Sequence, residues 1–364
     1  KVERDGGDDT RAWGPPFSRG EATYFWSANR NKRSVVLDLQ NPDDAVIATE
    51  LAATADVVVE NFRPGVADRL GLGYERVSAL NPRTVYCSIS AFGDSDAARD
   101  LAGYDLLVQA VGGLMSITGT QESGPIKVGV ALVDVLAALH AAVGVLAALR
   151  HRDATGAGQR VDVTMLQSLL ASLANQATAF LGTGVSPKPM GNQHPSIAPY
   201  QTLQGSDGQI ALACGNDRQF RNLCDALGLE TLAGDARFVT NTERVIHREE
   251  LITLLEATTT GLTCCDLLQR FLGTVFVTGK SVDHVPFEIW ICVFRWLSLF
   301  SNRFLTAGSL SRCSFLCRCS FFCRCSFLCR CSFNGFNRCR CFGLSLHFAG
   351  VGTGIFYVCF FDHH

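Results

Sequence analysis

A single acid, Asp134, stands inside the apolar run Lys127-Val128-Gly129-Val130-Ala131-Leu132-Val133-Asp134-Val135-Leu136-Ala137-Ala138-Leu139. The residues before it are extended and interrupted by glycine, and those after it are alanine-rich with helical spacing as far as Leu149, so the acid falls at a helix N-terminus. The first turn of a helix leaves unpaired N–H groups and a partial positive charge, which favour an ionised carboxylate. A carboxylate in an otherwise apolar wall can attack an activated acyl group. Aspartate is also a preferred N-cap, so capping alone would equally account for the position.

The elements that must position this acid alternate between strand and helix. Short runs rich in valine or isoleucine predict strands over Ser34 to Leu39, Asp56 to Glu60, Thr84 to Ser90, Arg160 to Val163 and Gln209 to Ala213. Between the first two, Asn41 as cap, Pro42 at the first helical position and Asp43 and Asp44 in the first turn open a helix through Ala52. This alternation predicts an α/β fold, a Rossmann-like parallel sheet covered on both faces. Ligands of such sheets bind beyond the carboxyl ends of the strands. Asn61, Phe62 and Arg63 follow the Asp56 to Glu60 strand directly and fall in that crevice, on a turn marked by Pro64-Gly65. The basic run Arg30-Asn31-Lys32-Arg33 reads first as a solvated loop. The chain has neither the G-x-G-x-x-G fingerprint nor the G-x-x-x-x-G-K-[ST] loop, which disfavours a dinucleotide oxidoreductase or a nucleoside triphosphatase.

Several ordered motifs share a pattern: Gly7-Asp8-Asp9-Thr10-Arg11, Trp13-Gly14-Pro15-Pro16-Phe17, Asn29 to Ser34, Val59 to Gly65, Gly103-Tyr104-Asp105, Gly112-Gly113-Leu114-Met115, Val128 to Asp134, Gly191-Asn192-Gln193-His194-Pro195 and Gly215 to Phe220. Together, over residues 1 to 260, they resemble the family III CoA-transferases (the CaiB/BaiF family), most closely the branch that exchanges succinyl-CoA with glutarate. The resemblance implies a large coenzyme-binding and catalytic domain over 1–185, lacking its first βα unit, and the start of a small domain over 186–260.

It implies Asp134 as nucleophile, forming an aspartyl anhydride and then an aspartyl-CoA thioester. It implies coenzyme contacts at Arg4, Leu37, Asp38, Asn61, Phe62, Arg63, Arg69 and Tyr104, and a substrate loop with Gly191, Asn192 and His194. Guanidinium groups suit phosphate, since they pair its oxygens in a fixed fork. Coenzyme A enters as substrate, with no permanently bound cofactor and no metal; the partners are an acyl-CoA and a small carboxylic acid, and intact relatives are expected to be homodimers. The oxyanions of each anhydride step call for backbone N–H donors near the carboxylate, and Gly191 to Pro195 is expected to be a mobile cover.

Tyr104 separates two chemistries of this fold. The α-methylacyl-CoA racemases carry Gly-His-Asp where this chain has Gly103-Tyr104-Asp105, and proton abstraction beside a thioester needs that base. Transfer is therefore expected over racemisation. Asp105 is either an acid that orients the site or the cap of a helix over Leu106 to Val111.

Composition bounds the rest. Net charge is −2 and 47% of residues are apolar, which gives no basic excess to suggest nucleic acid. Ten of the sixteen cysteines lie beyond residue 300, and seven arginines but no acid fall between Ser301 and Gly343. That stretch repeats Arg312-Cys313-Ser314-Phe315-Leu316-Cys317 with a six-residue period. Residues 261–364 therefore read as a low-complexity tail, disordered or translated from repetitive nucleic acid in the wrong frame, and not as a zinc site or membrane anchor. The opening at Lys1, beyond the family's first strand, helix and catalytic glutamine, reads as a fragment, for which an inactive chain is the competing expectation. Cys87, Cys214 and Cys224 are the cysteines of the first 260 residues, and they fit a reducing compartment, mitochondrial matrix or cytoplasm.

Overall fold

The computed structural model describes residues 1–271 and the strand segments 276–279, 323–324, 342–348 and 351–358. It divides into two compact units, Lys1–Asp283 and His284–His364.

The first unit opens with β1 (Val2–Glu3), a 3-10 turn (Asp9–Ala12), the hairpin β2 (Phe17–Ser18) and β3 (Glu21–Ala22), α1 (Thr23–Asn29) and β4 (Val35–Val36). β1 and β4 pair in parallel. Glu3 ties this region together: buried, it takes Arg11 Nε and Nη2 at 3.0 and 2.9 Å, the Ser34 hydroxyl at 2.6 Å and the Asp8 amide at 2.8 Å. Asp8 in turn caps the 3-10 turn by accepting the Thr10 amide at 2.8 Å, and the Arg11 guanidinium lies 3.9 Å from the Phe25 ring centroid. The acids and arginine of Gly7 to Arg11 are thus scaffold.

Next come α2 (Pro42–Thr54), β5 (Val57–Glu60), α3 (Val66–Arg69), α4 (Tyr74–Leu80), β6 (Val85–Ser90), α5 (Asp105–Val111), α6 (Leu114–Ile117), α7 (Leu132–Thr155), β7 (Arg160–Thr164), α8 (Met165–Ser172) and α9 (Ala174–Thr183). Asn41 caps α2 through the Asp43 amide, with Pro42 in the first turn, as its sequence predicts. β5, β6 and β7 form a parallel sheet in that order, giving the expected α/β class. Val133, Ala137 and Ala141 of α7 are buried with Cys87 of β6, Val163 of β7, and Met165 and Leu169 of α8. Gly144 continues that face, where a Cβ would lie 2.7 Å from Val161 Cγ1, so the helix approaches the sheet as closely as its backbone allows.

The last part of this unit holds β8 (Tyr200–Gly205), β9 (Gly208–Ala213), α10 (Asp217–Leu227), α11 (Glu230–Ala233), α12 (Asn241–Ile246), α13 (Arg248–Thr259), α14 (Cys264–Phe271) and β10 (Phe276–Gly279). Two expectations are corrected here. Gln209 to Ala213 does not join the parallel sheet; it is the centre of an antiparallel one, β10-β9-β8, because the two-residue link Ser206-Asp207 leaves room only for a hairpin. The break placed at residue 260 is also too early, since Cys264, Leu267 and Phe271 are buried in a core with Leu203, Leu212 and Leu255. The apolar spacing of Cys264, Leu267 and Phe271 is that of a helix face.

In the second unit, β11 (Cys323–Arg324), β12 (Phe342–Phe348) and β13 (Val351–Val358) form an antiparallel sheet in that order. The remainder of the six-residue repeat, and with it the expectation of a disordered tail, lies outside the described residues.

Candidate active site

The two ends of α7 settle which edge of the sheet Asp134 occupies. At its C-terminal end, Arg152 Nη1 bonds Asp56 Oδ1 at 2.8 Å just before β5, and Gly158 N donates to Pro82 O at 2.8 Å just before β6. Those residues mark the amino edge, so the N-terminus of α7 lies at the carboxyl edge. Asn61, Phe62 and Arg63 leave β5 at that same edge. Gly103 brings the next element there: a Cβ on it would stand 2.7 Å from Ala91 Cβ, directly after β6. Asp105, two residues on, opens α5.

The hydrogen bonds then differ from both capping expectations. The N-cap of α7 is Ala131, which has no side-chain acceptor, and Asp134 is the third helical residue. Tyr104 is the N-cap of α5 and makes no side-chain cap bond. Asp105 caps α7 across the gap between helices: its Oδ1 accepts the Val133 amide at 2.8 Å and lies 3.4 Å from the Asp134 amide. Its Oδ2 accepts Gln109 Nε2 at 2.6 Å, and Gln109 Oε1 accepts the Val128 amide at 2.9 Å. Gln109 is fully buried. No sequence signal marked it, because a helical glutamine reads as surface until its partners are known.

Asp134 itself is exposed, and among the described residues its carboxylate receives no hydrogen bond. Burial of part of the group, then the Asp105 charge, raises its pKa above the ordinary carboxylate value. That opposes the lowering a helix N-terminus gives. The Val133 and Asp134 amides of this turn, expected to serve the oxyanion, are engaged by Asp105. Tyr24 on α1 belongs to the same electrostatic neighbourhood, its hydroxyl pKa raised by burial and then by Asp134 and Asp105. Its ring lies 5.3 Å from that of Trp13.

The expected coenzyme residues divide by environment. Arg63 and Arg69 are exposed and make no ion pair among the described residues, so their guanidinium groups are free for phosphate. Arg4 is paired with Asp9 and lines a cavity of about 510 Å³ with Gly6, Gly7 and Arg11. Leu37 extends the β1–β4 ladder by donating to Glu3 O at 2.9 Å, and its side chain is buried, which leaves its backbone for any contact. Asp38 holds the Gln40 amide at 3.0 Å and its own amide donates to Asp44 Oδ2 at 2.8 Å. Phe62 and Tyr104 are exposed at 40% and 64%.

The Gly191 to Pro195 stretch is tied down at both ends. Gly191 N donates to Gly119 O at 2.7 Å, on the loop that leads into α7. Asn192 Nδ2 reaches the Thr202 hydroxyl at 3.4 Å. The His194 carbonyl accepts Arg248 Nη2 at 2.6 Å, while its Nδ1 accepts the Ser196 amide at 3.0 Å, leaving Nε2 as the donor. Asn241 and Arg244 hold Ser196 and Ala198. The Gln193 amide donates to Met190 O at 3.1 Å and the His194 amide to Tyr200 O at 3.0 Å, so the stretch expected to be a mobile cover is bonded along its length. No bond links His194 to Asp134.

Residues 1–283 match the model of CoA-transferase family III. The chain is 44% identical over 275 residues to a succinate–glutarate CoA-transferase of Agrobacterium fabrum, covering 74% of this chain and 69% of that protein. It is 42% identical over 256 residues to the succinyl-CoA:glutarate CoA-transferase of Homo sapiens, covering 70% of this chain and 58% of that one. The crystal structure of a CaiB/BaiF family protein from Brucella suis superposes with a TM-score of 0.67 at 44% identity, covering 78% of this chain and 76% of that one. The chain thus spans less than two thirds of the human relative's length.

Proposed function

The chain belongs to CoA-transferase family III, and on that premise we propose that it moves coenzyme A from an acyl-CoA, succinyl-CoA in the first instance, to a small dicarboxylate such as glutarate. The observation that carries this reading is the Asp134 carboxylate, unbonded among the described residues and exposed at the carboxyl edge of a parallel sheet, where such sheets bind ligands.

The steps balance without a proton, an electron or a metal. The Asp134 carboxylate adds to the donor thioester carbonyl and the C–S bond breaks, giving a mixed anhydride and CoA thiolate. The thiolate attacks the aspartyl carbonyl, forming the aspartyl-CoA thioester and expelling the donor carboxylate. The acceptor carboxylate attacks that thioester and releases thiolate, leaving an aspartyl–acceptor anhydride. Thiolate then takes the acceptor acyl group and frees Asp134. Arg63 and Arg69 hold the coenzyme's phosphates in this reading, since among the described residues they are exposed and in no ion pair, unlike Arg4.

We place a second copy of the chain against α7. Val135, Leu139, Val143 and Leu146 form one stripe of that helix and are 50 to 66% exposed, while its opposite face is buried on the sheet. By length and composition alone α7 could cross a membrane; its buried Val133, Ala137 and Ala141 support a sheet-packed helix with one face left for association. Sedimentation of the chain and of Val143→Glu tests this, dimer against monomer being the expected pair and two monomers the contrary result.

The activity is tested by incubating the protein with succinyl-CoA and glutarate and resolving the CoA esters. Glutaryl-CoA formation supports the proposal. Exchange of the α-proton of a branched acyl-CoA without transfer would replace it with the racemase reading, and neither reaction would leave an inactive fragment.

A further inference from the structure

Asp134 has an unusual position for an acid in the first turn of a helix. An acid at the third helical position can reach back to the N-cap amide and is favoured by the open helix end, and α7 has an alanine at the N-cap, so no cap side chain competes for the first-turn amides. Yet the amides of Val133 and Asp134 point at Asp105 Oδ1, and the Asp134 carboxylate is left without a bond among the described residues. Asp105 cannot drift from this place. Its Oδ2 is held by Gln109, Gln109 by Val128, and its backbone is pinned by the contact of Gly103 on Ala91.

We propose that Asp105 is the positioning residue of this site: by occupying the open amides of α7 it turns the Asp134 carboxylate out of its own helix end and toward the thioester. The inference rests on the reading of Asp134 as nucleophile.

A second consequence concerns charge. Two titratable groups interact with Asp134: the Asp105 carboxylate from α5 and the Tyr24 hydroxyl from α1, neutral in the physiological range and more so for its raised pKa. The free enzyme therefore holds two neighbouring carboxylates, neither in an ion pair among the described residues. Acylation or thioester formation at Asp134 removes one of those charges, and the repulsion is relieved in the covalent intermediate and not in the resting state. Asp105 thereby favours the covalent step as well as the geometry.

The test reads Asp134 directly. In the full chain labelled with 13C-aspartate, the Asp134 carboxyl is assigned with Asp134→Asn and titrated in the parent and in Asp105→Asn, which keeps an acceptor oxygen and loses the charge. The expected result is a downward shift of about half a pH unit or more in the variant, with kcat reduced about 10- to 100-fold and KM for acyl-CoA little changed. An unshifted titration overturns the proposal. Should Asp105→Asn fail to fold, deuterium exchange of the parent's Val133 amide decides: at least about tenfold slower than an open first-turn amide supports the Asp105 cap, and exchange as fast as an open amide overturns it. Turnover distinguishes the two readings: a shifted titration in a chain that transfers no CoA removes the transferase reading alone, and an unshifted one in an active chain removes this proposal alone.

Discussion

Gly103 lies against Ala91 so closely that a methyl group on the glycine would sit 2.7 Å from the alanine's own Cβ. Ala91 is the first residue past β6, and Asp105 is two residues past Gly103. The depth at which α5 starts is therefore set by the absence of one side chain.

Replacing Gly103 by valine pushes α5 outward and pulls Asp105 off the end of α7. The overpacking itself costs about 1–3 kcal/mol. Activity should fall by more than that loss explains, so the expected pattern is a folded protein at 25 °C with a Tm several degrees lower and CoA transfer reduced at least about 100-fold. A fall in Tm with full activity in the folded fraction would contradict the dependence of the site on this contact.

Asp134 should reduce stability where it is ionised. Its folded-state pKa is raised, by burial and then by Asp105, so the unfolded chain loses this proton first as the pH rises. The penalty grows from about pH 4, the ordinary aspartate value, through the raised folded value and stays constant above it. Asp134→Asn is thus expected to melt at higher temperature than the parent at pH 7, with the difference disappearing near pH 4. Thermal unfolding at both pH values checks this; an equal or lower Tm for the variant at pH 7 would contradict it.

Glu3 has the opposite sign. The hydrogen bond from Arg11 holds its carboxyl well below the usual glutamate range, helped by Ser34 and the Asp8 amide against the cost of burial. Its contribution is present above the unfolded value near pH 4.3 and is lost as pH falls below it. Glu3→Gln removes the buried charge held by Arg11, Ser34 and the Asp8 amide, while the half-buried Arg11 keeps its pair with Glu21, and should cost about 1–2 kcal/mol at pH 7, with little further loss on acidification. Urea unfolding at pH 7 and pH 4 provides the comparison, and a variant that tracks the parent at both would exclude the Arg11 pairing as its source.

Arg244 and Arg237 should behave differently. Arg244 is fully buried, donating to Ala198 O at 2.8 Å, Phe238 O at 2.9 Å and Asp217 Oδ1 at 2.7 Å, with its guanidinium 4.5 Å from the Phe220 centroid. Arg237 pairs with Asp235 and Glu250 at the surface. Arg244→Ala should cost about 3–5 kcal/mol, since two carbonyls and a cavity are left behind, whereas Arg237→Ala should cost about 1 kcal/mol or less. Equal losses in chemical unfolding would contradict this division.

The sequence was legible where periodicity and capping carry the signal. The helix opening at Asn41-Pro42, the strands at Val57, Val85 and Arg160, and the helix beginning near Asp134 are all where spacing puts them. Asp105 was legible as an acid at the start of α5, but its place on the open amides of α7 was not. What could not be read was which acid caps which helix, because Asp105 and Asp134 are 29 positions apart and their relation depends on how α5 lies against α7. Gln109 and Tyr24 were hidden for the same reason. The antiparallel direction of β9 and the helical face of Cys264, Leu267 and Phe271 were within reach of turn length and spacing. There the composition of the tail outweighed the local pattern.

The central claim is that the Asp134 carboxylate carries coenzyme A covalently. The most direct measurement is intact and peptide mass spectrometry of the full chain quenched in acid after incubation with succinyl-CoA, beside the same sample treated with hydroxylamine. The account predicts a CoA adduct on the peptide holding Asp134, converted by hydroxylamine to the aspartyl hydroxamate and absent from Asp134→Asn. Transfer to glutarate with no adduct at that peptide, or an undiminished rate in Asp134→Asn, would contradict it.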